Sequence, residues 1–204
     1  MIVIGLTGSI GMGKSTAAAM LQQLGVPVHE ADAEVHELLG SEAQARVAVA
    51  AAFPYYEHPE IYDKKTKAIK RAALGKIVFS DEKKREALEN ILHPFVHDAQ
   101  NKFILKSKKM GQEIVALDIP LLFETGGDEF VDVTIVVSAP FHIQEKRVME
   151  RPGMDEKKFH TILERQMPDS EKCERADYVL PTGLGRAETM KDLKKILHEI
   201  RSAE

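Results

Sequence analysis

The chain has 204 residues, enough for one domain that buries its own core without a disulfide or metal staple. Its 28 Lys and Arg against 32 Asp and Glu leave a formal charge of −4, which excludes a polybasic nucleic-acid or membrane-surface binder but leaves room for a local anion site. No run approaches the ~18 apolar residues of a bilayer span. The opening MIVIGLTGSIG lacks a basic leader, and the single cysteine, Cys173, suits a reducing compartment. A cytoplasmic protein with neither nucleic acid nor membrane as partner is expected, a monomer or weak homo-oligomer.

Ile2 to Leu6 is a short β-branched run bounded by glycines and reads as a buried strand. A glycine-rich turn, Gly8 to Gly13, precedes a helix from Lys14 to Leu24 that stops at Gly25, and Val26 to His29 forms a second strand. This order opens a parallel α/β sheet. Next come roughly 80 mostly helical residues, far more than a crossover needs. Helices are expected over Ser41 to Phe53, with Ser41 and Gln44 as a capping box, over Ala68 to Phe79, and over Ser80 to Lys109, where Pro94 should end or kink the helix near His93. Tyr55 to Thr66 reads as a loop. Glu113 to Leu117, Val131 to Val137 and Asp177 to Leu180 supply three more strands, and a helix from about Ala187 to Ser202 follows on apolar 3.6-residue spacing.

Gly8-Ser9-Ile10-Gly11-Met12-Gly13-Lys14-Ser15 matches G-x-x-x-x-G-K-[ST] in full, between an apolar strand and a helix. Gly8, Gly11 and Gly13 let backbone N–H groups wrap a polyphosphate at a helix amino end. Lys14 then reaches the β and γ phosphates, and the Ser15 hydroxyl joins a Mg²⁺ shell. A dinucleotide fingerprint fails because Thr16 stands where Gly or Ala is required. A switch GTPase fails too, since Asn101-Lys102-Phe103-Ile104 lacks the guanine-reading aspartate and no D-x-x-G is present. An ATP-using enzyme remains, and a P-loop core with a helical insertion and an arginine-bearing segment near the end suits a small-molecule kinase.

Asp32 follows the second strand, where a carboxylate either takes a hydroxyl proton or caps the next helix. Asp118 ends an apolar strand and is either a metal-touching carboxylate or a polar strand terminus. Arg147 and Arg151, four apart on a helix from about Phe141, share a face and could clamp a polyphosphate or serve solubility. The segment from Pro152-Gly153 to Pro168 is a candidate lid. His93 and His97 have zinc-helix spacing, but Pro94 spoils it. Cys173, among charges, reads as an inert surface thiol. Lys64, Lys65, Lys67, Lys70 and Arg71 form a basic cluster that is a solvated face or meets phosphates.

GSIGMGKST at Gly8 to Thr16, HEADAEVHEL at His29 to Leu38, ILHP at Ile91 to Pro94, DIPLLFE at Asp118 to Glu124, Arg147, Arg151, Arg165-Gln166 and Ala176-Asp177-Tyr178 together resemble the dephospho-CoA kinases across nearly the whole chain. The resemblance implies an α/β, three-layer P-loop kinase fold with a parallel five-stranded sheet. The core would be 1–40, 110–146 and 169–204, with a helical substrate-binding insertion over about 41–109 and an arginine-bearing lid over about 147–168. It implies transfer of the γ phosphate of ATP, with Mg²⁺, to the 3′ hydroxyl of the dephospho-CoA ribose, the last step of coenzyme A synthesis. Catalysis would fall to Asp32, Lys14 and Arg147, and ATP to Gly8, Gly11, Met12, Gly13, Lys14, Ser15, Thr16 and Arg151. Dephospho-CoA would meet Asp32, Arg71, His93, Pro120, Leu121 and Leu122, and the metal Ser15. The chain departs from the family at Glu30, where the first Asp of an Asp-Ala-Asp string is usual, and at Thr182, where an Asn precedes Gly183. Thr cannot offer an amide's paired donor and acceptor to an adenine. A nucleotide or nucleoside kinase on the same scaffold, or a P-loop binding module, are the rival readings.

Overall fold

β-Branched and apolar runs at Ile2–Thr7, Ile114–Asp118 and Val133–Ser138, buried on both sides, build the middle of the sheet, as parallel interior strands require. A computed structural model of the chain describes residues 1–30, 44–66 and 68–202. Five strands, β1 (Ile2–Thr7), β2 (Val28–Glu30), β3 (Ile114–Asp118), β4 (Val133–Ser138) and β5 (Tyr178–Pro181), form one sheet in the order β2-β3-β1-β4-β5. The pairs β1 with β3, β1 with β4 and β4 with β5 all run parallel. Side chains alternate across the sheet. Ile4, Leu6, Ile135 and Val137 meet helices α1 (Lys14–Gln23) and α8 (Arg186–Ser202) through Ala17, Met20, Leu21, Leu193 and Leu197. Ser138 faces the other way, and its hydroxyl donates to Asp169 at 2.6 Å on α7 (Asp169–Arg175). Helices thus cover both faces, the three layers the sequence implies.

The chain divides into two units, Met1–His29 with Lys106–Glu204, and Glu30–Leu105. The second has its own apolar cluster. Ala45, Val49 and Phe53, one turn apart on and just past α2 (Gln44–Ala52), pack with Ile61, Tyr62, Ile69, Leu74 and Leu92. The expected capping residue Ser41 lies outside the described residues. Helix α3 (Arg71–Ser80) begins three residues later than its composition suggests, for a local reason. Tyr62 bridges Ile69 antiparallel, the Asp63 N–H donates to the Ala68 carbonyl at 2.8 Å, and the Lys70 N–H donates to the Ile61 carbonyl at 2.6 Å. That holds residues 68–70 extended. The Asp63 carboxyl, accepting from the Thr66 and Lys65 N–H groups, sits below the usual carboxylate range.

Pro94 does not end its helix: α4 runs from Glu82 to Lys109 straight through it. Leu88, Ile91, Leu92 and Phe95 on either side of the proline pack into the cluster, and that packing outweighs the lost hydrogen bond. Among the described residues no helix is long and apolar enough to cross a membrane.

Candidate active site

The glycine loop joins β1 to α1, with Gly13 as the left-handed N-cap of the helix and no side chain capping it. Two of its glycines are required by space. A Cβ on Gly8 would fall 2.4 Å from Val137 Cγ2 and 2.7 Å from the Val137 carbonyl oxygen. Gly11, at φ +79°, would put one 2.6 Å from Val148 Cγ2. Three successive carbonyls of the loop are held by side chains from elsewhere in the fold. Gln144 Nε2 donates to the Ile10 carbonyl at 2.8 Å, Arg147 Nη1 to Gly11 at 3.4 Å, and Thr182 Oγ1 to Met12 at 2.6 Å. In a planar trans peptide the next N–H points opposite to the carbonyl. The N–H groups of Gly11 and Gly13 therefore turn away from these braces.

Lys14 and Asp118 form an ion pair at the carboxyl end of the sheet. Asp118 is buried at the end of β3, opposite Leu6 of β1, and Lys14 is the first residue of α1. The Asp118 carboxylate and the exposed hydroxyl of Ser15, the residue after Lys14, are oxygen donors of the kind a hard cation takes. After Asp118 the chain turns back over β1. The Ile119 N–H donates to the Leu6 carbonyl at 3.0 Å and Thr7 Oγ1 to the Pro120 carbonyl at 3.1 Å. Pro120 and Leu121 are half-buried, whereas Leu122 is fully buried, where its Cδ2 lies 2.9 Å from the position of a Cβ on Gly5.

Arg147 lies on α5 (Phe141–Met149). Its guanidinium fork is occupied by protein: Nη2 donates to the Thr182 carbonyl at 2.7 Å and Nη1 to Thr182 Oγ1 at 3.1 Å. The expectation that Arg147 and Arg151 share a helix face fails, because α5 stops at Met149 and the exposed Arg151 lies in the turn beyond it. The candidate lid carries α6 (Glu156–Leu163), capped by Asp155, whose carboxyl accepts from the Lys158 N–H and is held below the usual carboxylate range by that bond. Buried Phe159 stacks on Phe141 of α5 with ring centroids 6.0 Å apart. The lid returns to the glycine loop at Gln166, whose Oε1 accepts from the Ile10 N–H at 3.0 Å.

In the second unit, Arg71 opens α3 and His93 sits on α4, both exposed. Asp32 lies outside the described residues, as does Lys67 of the basic cluster. Gln144, Gln166 and Thr182 brace the loop, a role that sequence reasoning misses. No local pattern marks them, since their partners lie 134, 156 and 170 positions away. Cys173 is half-buried; burial and the neighbouring Asp169 carboxylate push its thiol up, which suits an unreactive group.

Comparison with known proteins gives one consistent match. The family model described as dephospho-CoA kinase matches residues 2–185. The dephospho-CoA kinase of Novosphingobium aromaticivorans is 47% identical over 199 residues, covering 98% of this chain and 94% of that one. Among solved structures, TT1252 from Thermus thermophilus is similar with a TM-score of 0.75 at 35% identity, covering 97% of each chain. Dephospho-CoA kinase from Campylobacter jejuni is similar with a TM-score of 0.71 at 27% identity, covering 98% of each.

Proposed function

The chain belongs to the dephospho-CoA kinase family, and from that premise we propose the part each of its residues takes in moving the γ phosphoryl of ATP to the 3′ hydroxyl of dephospho-CoA. The Lys14 and Asp118 pair beside the braced glycine loop is the observation that carries the reading. Phosphoryl transfer asks for positioning and charge stabilisation more than covalent chemistry. Gly8, Gly11 and Gly13 give backbone N–H groups to the phosphates, while the expected Met12 N–H is instead spent inside the loop on the Ser9 carbonyl at 3.1 Å. Lys14 exchanges Asp118 for the β and γ oxygens, following the charge as it moves to the leaving group, and Thr16 lies in the same first helical turn. Mg²⁺, when bound, would supply charge neutralisation for the transferring phosphates. Ser15 and Asp118 are the oxygen donors assigned to it.

Arg147 fixes the outer rim of the loop through Gly11 and Thr182, and Arg151, exposed beyond α5, contacts phosphate oxygens. Pro120 and Leu121 offer a half-buried apolar edge to the acceptor, supported from below by Leu122. Arg71 and His93 are assigned to acceptor recognition. Asp32, just past β2, takes the proton of the attacking hydroxyl.

ADP release measured across dephospho-CoA, AMP, CMP and adenosine tests the reading against a nucleotide or nucleoside kinase. Turnover with dephospho-CoA far above the other three is expected, and release independent of acceptor sinks it. Asp32→Asn keeps the size and a capping oxygen but not the proton acceptor, so kcat should fall by about 10² to 10⁴ with melting temperature unmoved. A variant keeping more than about a tenth of wild-type kcat rejects the base assignment.

A further inference from the structure

Lys172 stands in DSEKCER, which reads as a solvated helix face, yet its side chain is completely buried. A lysine is almost never fully buried without a partner. Its ammonium lies 2.8 Å from Glu124 Oε1 and 3.4 Å from the Pro120 carbonyl. Each of those acceptors holds a second donor. Glu124 Oε1 also accepts from the Met167 N–H at 2.8 Å, and the Pro120 carbonyl from Thr7 Oγ1 at 3.1 Å. One buried cation therefore ties together the end of β1 where the glycine loop begins, the 119–124 segment, and the root of the lid. Gln166, next to Met167, grips Ile10 at the crown of that loop.

Stability alone does not account for this arrangement. Well-packed apolar residues commonly replace a buried ion pair with no loss. Glu124 Oε2, moreover, is buried with no hydrogen-bond partner among the described residues, an oxygen left costly. What the pair does supply is position: it fixes the Pro120 carbonyl, two residues after Asp118, against Thr7, seven residues before Lys14.

We propose that Glu124 and Lys172 are positioning residues for phosphoryl transfer, holding the 118–121 segment in register with the glycine loop; this rests on the kinase reading above. Neither touches substrate. They act through Pro120, whose carbonyl both Lys172 and Thr7 reach, and through Leu121 beside it, the edge assigned to the acceptor.

The test uses the full chain with Lys172→Met, Glu124→Gln and the double variant, in which no charge is left unpaired. Expected for the double variant is a melting temperature within a few degrees of wild type, a kcat at least tenfold lower, and a raised KM for dephospho-CoA. MgATP affinity by calorimetry should stay within threefold, since the loop's own braces remain. Hydrogen exchange should be faster at the Ile119 and Met167 amides. Recovery of kcat and of dephospho-CoA KM to within threefold of wild type in the double variant would overturn the proposal, as would unchanged exchange at those amides or a parallel loss of MgATP affinity. If a single variant fails to fold, the double variant decides alone. Wild-type protein inert toward dephospho-CoA would defeat the kinase reading, while the exchange measurement still judges the clamp.

Discussion

Lys14 holds Asp118 in the structure, so in the reaction proposed it must trade one anion for another. Its side chain is only partly buried and belongs to no apolar cluster, so losing it should not unfold the protein. Lys14→Ala is expected to lower kcat by about 10² to 10³, the scale of a lost charge-stabilising donor. ADP release checks this alongside a melting curve, and a variant within tenfold of wild type would show that Lys14 does not meet the transferring group. Thr182 gives a second prediction. Thr182→Val deletes the donor to the buried Met12 carbonyl while keeping the shape, and should cost about 1–3 kcal/mol by urea unfolding. Thr182→Ser restores the hydroxyl and should lie close to wild type. In the sequence this residue shows only what it lacks, an amide. Its actual work depends on a loop 170 positions earlier arriving beside it.

The glycine loop and α1 were legible as an element because strand, turn and helix each carry their own local signal. The braces around them were not. Gly25, at φ +80° with nothing within 4 Å of where a Cβ would stand, and Gly11, with Val148 in the way, separate the two costs a methyl can incur. Gly25→Ala should lose about 1–2 kcal/mol from left-handed backbone alone. Gly11→Ala should lose a further ~1–3 kcal/mol from overpacking, and nucleotide binding with it. Denaturant unfolding of the pair measures the difference. Helix α6 offers a pH test. The Asp155 carboxyl has its pKa depressed in the fold, so its cap is fully present above the ordinary Asp value of about 3.9 and lost as pH falls through the lower folded value. Exchange at the Lys158 amide should quicken only in that acid window. Asp155→Asn, still a capping residue, should remove the pH step. Pro94 shows the opposite limit of local reading: its breaker signal is real, but Leu92 and Phe95 beside it have partners that no window of sequence displays.

At the scale of the molecule, the strands and their parallel character follow from short runs set between helices on connections too long for hairpins, whereas the order β2-β3-β1-β4-β5 has no local signal in the sequence. The buried lysine is hidden in the sequence because Lys172 is surrounded by charges that do face water, such as Glu171 and Glu174. A helix's face is decided by what lies against it. The strand order carries one more implication, for synthesis. β1, in the centre of the sheet, pairs Ile2 with Ile114 and Ile4 with Val133, so the earliest strand made must wait for more than half the chain before either neighbour exists. Until then its β-branched run has no partner. The residues of the second unit emerge in that interval and can complete their own cluster from shorter-range contacts. A nascent chain of this kinase thus holds a finished helical unit behind an unpaired apolar strand, the species most exposed to aggregation while the ribosome is still working.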